Sequence, residues 1–227
     1  MKKVIFYLTT CFLASISFGQ EFEIALENHF KLSFCNCVQN NKTNILDEDE
    51  VENCLKAEIL KSKNLYSKYM DFDPNNDDKK NDDVRKKIFN DNIEEIINTC
   101  DIFYTKLDES LDNILNLYKE EFEIFDIKTV NNLIKENPEN ADLYGVRALI
   151  HWKDKNYKEA SKDFYNGYYL DSSNTNFLMF IAITKAKANE FVEAIDIFQK
   201  LINDFGEDDL LPLLYLTKRK LKESTQN

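Results

Sequence analysis

The residues spaced most suggestively for chemistry are cysteines. Cys35 and Cys37 stand two apart, Cys54 and Cys100 follow singly, and Cys11 sits in an apolar run near the start. Such thiols can cross-link, exchange disulfides or hold a metal. A redox pair needs a thiolate, which a helix N-terminus stabilises. Cys35 and Cys37 instead come late in a period-four apolar run (Phe22, Leu26, Phe30, Phe34) that reads as a helix. There the helix dipole opposes a thiolate. A metal centre asks for closer ligands and usually histidine, whereas His29 and His151 are isolated. Cys35, Cys37, Cys54 and Cys100 are therefore expected as structural disulfides. A thiol–disulfide redox protein using Cys35 and Cys37 is the alternative.

A second constellation is acidic. Asp71, Asp73, Asn75 and Asp77 place oxygens at alternate positions, and Asp82 follows at the twelfth. That spacing suits a calcium loop. The turn position is Asn76 instead of glycine, the twelfth residue is Asp instead of Glu, and Lys79 and Lys80 intrude. A solvated loop is the plainer reading, with calcium a weak candidate. The sequence contains no Gly-rich phosphate loop, nucleophile elbow or His-Glu-x-x-His. Its carboxylates sit beside lysines, as on solvated helix faces. The expectation is a protein without catalysis and without cofactors.

The elements that position these residues read as helices. The 227 residues hold only 4 Gly and 3 Pro, with 43% hydrophobic and 31% charged residues, which suits an all-α chain. The formal net charge of -12 makes nucleic acid a poor partner. Lys2 and Lys3 precede an apolar run from Val4 to Phe18 and then Ser17-Phe18-Gly19. This predicts a signal peptide over 1–19, cut after Gly19. The mature protein is expected to be exported to the periplasm or beyond, without stable membrane insertion. Removal of Cys11 leaves an even set of four cysteines, as disulfides in an oxidising compartment require.

Residues 20–121 are expected to form a helical bundle. Val51, Leu55 and Ile59 mark its second helix. Val84 to Tyr118 mark a third that runs unbroken over about 82–121, since no Gly or Pro interrupts it. Folded up and down, these helices bring all four sulfurs to one end. Four cysteines allow three pairings; Cys37 with Cys54 and Cys35 with Cys100 is the favoured one. In the chain-entropy model these loops contribute about 3 and about 4 kcal/mol.

Beyond the bundle the sequence repeats. Residues 141–174 lie over 175–208 without a gap. Ala148 falls on Ala182, Tyr157 on Phe191, Ala160 on Ala194 and Phe164 on Phe198. Thirty-four is the tetratricopeptide period. With the stretch Lys155-Asn156-Tyr157-Lys158-Glu159-Ala160, this segment resembles the tetratricopeptide (TPR) family. The resemblance implies helical hairpins stacked into a right-handed α-solenoid over 126–222. Ile127, Val130, Leu133 and Ile134 would form an earlier helix, and 209–222 a capping helix with Lys218 to Lys222 exposed. Arg147 and His151 depart from the family pattern, standing where it usually has large apolar or Tyr residues.

The resemblance also implies a partner groove along the first helix of each hairpin. Asp142, Gly145, Leu149, Trp152 and Lys153 would line it, followed by Asn176, Met179, Ile183, Ala186 and Lys187. Trp152 would either contact a partner or pack on the preceding helix. The family's carboxylate clamp is missing, since Val146 and Phe180 replace its Asn. The expected function is a non-catalytic scaffold or adaptor for another exported or envelope protein.

Overall fold

The computed structural model describes residues 29–40, 48–61, 79–117 and 125–226. Among these residues every regular element is helical. The expected signal peptide, and Asp71, Asp73, Asn75 and Asp77 of the calcium candidate, lie outside the described residues, as does the Asp82 side chain. Contacts divide the chain into two compact units, Met1–Ile96 and Ile97–Asn227. The division falls earlier than the expected one near 121–126.

The first unit contains α1 (29–40), α2 (Glu48–Lys61) and most of α3 (Lys79–Thr99). Apolar residues four apart turn one stripe of each helix inward. Phe34, Val38, Ile93 and Ile96 are fully buried. Phe34 stacks on Phe30 at 6.1 Å and meets Phe89 of α3 at 5.7 Å, tying α1 to α3 through aromatic rings. A Lys31–Glu95 ion pair flanks them. The Cys37–Cys54 disulfide links α1 to α2 with a Cα–Cα distance of 5.6 Å.

The expected unbroken third helix stops at Cys100. Helix α3 ends at Thr99, and α4 (Asp101–Leu117) starts afresh. The Ile97 carbonyl, which would accept the Asp101 N–H in a continuous helix, accepts Arg219 Nη1 at 2.6 Å instead. The Cys100 carbonyl takes the Tyr104 N–H at 3.0 Å and opens the new helix. Helix α4 clusters with the C-terminal unit, not with the bundle expected over 20–121.

That unit continues with α5 (Ile127–Glu136), α6 (Ala141–Lys153), α7 (Tyr157–Leu170), α8 (Thr175–Lys187) and α9 (Phe191–Phe205). A short 3-10 turn (Asp208–Leu210) and α10 (Leu211–Ser224) close it. From α5 to α10 each helix packs on the next, and α4 packs on α10. Asn140 and Asn174 cap α6 and α8 through the N–H groups of Asp142 and Asn176. Pro212 sits in the first turn of α10, where its missing N–H costs no helical bond.

The 34-residue period is written into the backbone. The Asn156 N–H reaches the His151 carbonyl, and Glu190 repeats the bond to Lys185. Lys155 bonds back to Trp152, and Asn189 bonds back to Ala186. Lys155 and Asn189 are the described non-glycine residues with positive φ, at 59° and 62°. Asn137 to Leu133 recurs as Asp171 to Gly167. Ala148, Ala160, Ala182 and Ala194 are all completely buried, as close helix approach requires. The register ends at Gly206, where a left-handed cap (φ 73°) closes α9.

Candidate binding face

Helices α6 and α8 carry the residues expected to meet a partner. Asp142, Lys153 and Asn176 are exposed, and Met179 is half-buried. The apolar candidates are not accessible: Leu149, Trp152 and Ile183 are 4%, 3% and 0% exposed. Trp152 meets Phe180 edge-on at 6.2 Å, and Phe180 stacks on Phe164 at 5.1 Å. These rings join α6, α8 and α7, so the expected apolar groove residues are packing residues. Helix α8 is buried on most of its circumference, from Phe177 to Ala186. A helix apolar all round is an interior helix. Gly145, also expected on the groove, lies under Phe177, whose Cε1 is 3.2 Å from where a Cβ would sit. Apart from the half-buried Met179, the accessible remnant of this face is polar.

Lys187, the last groove candidate, is covered by the chain itself. Its side chain is 13% exposed and stands 3.8 Å from Asp108 of α4. Lys220 of α10 reaches the same carboxylate at 2.6 Å. Next to it Arg219 reaches Asp101 at 2.7 Å and Glu223 at 2.9 Å. The guanidinium carbon lies 3.8 Å from the centre of the Tyr104 ring, and the Tyr104 hydroxyl donates to Glu223 at 2.8 Å. The run Lys218 to Lys222, expected to be exposed, is therefore largely engaged: within it only Lys222 is exposed. An open depression of about 500 Å³, lined by Tyr104, Asn189, Phe191, Lys220, Glu223 and Ser224, adjoins this cluster.

Electrostatics follow from these contacts. Burial pushes the Glu223 carboxyl upward, but hydrogen bonds from Tyr104 and Arg219 and the nearby cations prevail and hold it below its ordinary value. Burial, together with the Glu223 carboxylate, pushes the Tyr104 phenol well above its ordinary value. Burial would lower Arg219, and its bonds to Asp101 and Glu223 raise it. Nothing in the spacing of these residues along the chain brings Tyr104, Asp101 and Asp108 together with Arg219 and Lys220. The cluster's one signal was a concentration of cations, Lys218 to Lys222, on a chain of net charge -12.

A second charged network lies inside the array. Arg147 holds Asp163 of α7 through two bonds and Asn131 of α5 through a third at 2.8 Å. His151 Nε2 stands 3.8 Å from Asp163. Arg147 and His151, the two departures from the family pattern, thus face one buried carboxylate across the hairpin.

The described cysteines are all disulfide-bonded. Cys37 is joined to Cys54 and not to its neighbour Cys35, so the two nearby thiols do not form a dithiol pair with each other. Among the described residues no helix is long and apolar enough to cross a membrane. No protein-family model matches the chain, and neither a curated protein nor a solved structure does so.

Proposed function

We propose that this protein is an exported, non-catalytic scaffold built on tetratricopeptide-type hairpins, which binds another exported or envelope protein. The observation that carries this reading is the recurrence of the same turn hydrogen bonds and left-handed residues, at Lys155 and Asn189, thirty-four positions apart. Hairpins of this kind each leave one face unsatisfied and stack on neighbours, making extended surfaces suited to binding other chains. The disulfides favour an oxidising compartment, in keeping with the leader expected over 1–19. They also favour structural staples over redox chemistry, and thiol counting on the native protein should return no free group among Cys35, Cys37, Cys54 and Cys100.

The contact surface in this reading is the rim of α6 and α8: the exposed polar residues Asp142, Lys153 and Asn176 with the half-buried Met179 beside them. A photo-crosslinker at Asn176 or Met179, introduced in producing cells, should capture one defined protein. The control position is Lys200, exposed on α9. Equal capture of the same species from Lys200, or none from α8, would refute the rim as the binding site.

A further inference from the structure

We infer that the basic seat formed by Lys187, Arg219 and Lys220 is a docking site for an acidic amphipathic helix, and that α4 occupies it in cis. This rests on the scaffold reading and names the class of partner segment that reading lacks.

The chain is strongly acidic overall, yet these three cations converge on one place from α8 and α10. What they meet is a helix with a specific polar stripe. Asp101, Tyr104 and Asp108 lie at i, i+3 and i+7, hence on one face. Asp101 and Tyr104 engage Arg219, and Asp108 engages Lys187 and Lys220. Beside this stripe Phe103, Leu107 and Leu111 are buried, so α4 is amphipathic in the way that groove-bound helices are.

The seated helix is held at its near end by groups that water can reach. The Asp101 side chain is 84% exposed and that of Glu223 46%. At that end water reaches the carboxylates although Arg219 itself is only 17% exposed, so an equivalent carboxylate from another chain has a route to the guanidinium. Lys187 belongs to α8 and Lys220 to α10, so the seat spans the second hairpin and the closing helix. The occupant it selects is a helix carrying two carboxylates seven residues apart with an aromatic ring between them. A resident occupant lowers the apparent affinity for any incoming helix by the fraction of time the seat is empty.

The test uses the full chain and a fluorescein-labelled synthetic peptide of residues 101–117, read by anisotropy. Asp101→Lys with Asp108→Lys in the protein should evict the resident helix and tighten peptide binding by about tenfold or more over the unaltered chain. Adding Lys187→Glu and Lys220→Glu should abolish that binding. Tyr104→Phe, which keeps the ring and removes one hydrogen bond, should give a smaller gain in the same direction, and it decides the matter if the charge-reversed chain does not fold. Equal affinity for altered and unaltered chains, or binding indifferent to Lys187→Glu and Lys220→Glu, would overturn the docking site. That result would leave the rim of α6 and α8 to its own crosslinking test.

Discussion

Arg147 grips Asp163 with two parallel hydrogen bonds, Nε to Oδ2 at 2.7 Å and Nη2 to Oδ1 at 2.6 Å. The carboxylate is 4% exposed and the guanidinium side chain 21%, so the pair sits between α6 and α7 with little water. Removing one partner of such a pair strands the other charge. Asp163→Ala should lower unfolding free energy by about 3 kcal/mol. Arg147→Met combined with Asp163→Leu should cost far less than the two single changes summed. Urea melts of the four proteins measure the non-additivity. Additive losses would show that the two side chains do not act as a unit.

Lys155 adopts φ 59° at the turn between α6 and α7. A side chain in that region clashes with its own backbone, and glycine does not. Lys155→Gly should raise stability by roughly 0.5–1 kcal/mol after the extra freedom of the unfolded chain is subtracted. Asn189→Gly at the matching turn should gain less, because Asn tolerates the left-handed region. Lys155→Val should do the reverse. Thermal melts distinguish the three.

Gly167 has no room for a side chain. A Cβ there would lie 2.4 Å from Cε1 of Phe177, and that ring is itself only 6% exposed. Gly167→Ala gains helix propensity yet should lose about 1–3 kcal/mol through overpacking. Phe177→Leu in the same chain should recover part of the loss. A stabilised Gly167→Ala protein would mean that the ring moves aside freely.

Glu223 and Tyr104 give the cluster a two-sided pH response. The Glu223 carboxyl titrates below its ordinary value when folded, so the unfolded chain takes up the proton first as pH falls. Its contribution is present above pH 4.5 and is lost as pH drops through the depressed value. The Tyr104 phenol is held above its ordinary 10.0, so the unfolded chain ionises first and stability declines above pH 10. Against the unaltered chain, Glu223→Gln should lower Tm at neutral pH, and the gap should narrow below pH 4. Tyr104→Phe should flatten the alkaline limb. A constant gap across the whole acid range would remove Glu223 from the account.

The repeat was legible because its markers are local. Buried alanines, turn residues and Asn caps recur at one interval, and each is read within a few positions of itself. The contacts that the sequence hid are those made across long separations. No Gly or Pro marks the interruption at Cys100, because the group that takes the Ile97 carbonyl arrives from Arg219, far along the chain. Asp163 falls on the same stripe as Ala160, Phe164 and Gly167, and only the hairpin shows that Arg147 and His151 meet it there. Trp152 carries the pattern of a groove residue, yet Phe180 satisfies it from the next repeat. Periodicity gives the side of a helix. It does not say which neighbour occupies that side.

The bond from Arg219 to Ile97 has a consequence for how this unit comes apart. Stacked hairpins normally touch only their immediate neighbours, and such arrays fray inward from either tip. Here the final helix is buttoned to the first residues of the same unit. Losing the C-terminal dozen residues would then not merely shorten the row. It would also free its opposite extremity, so both termini should gain or lose hydrogen-exchange protection together.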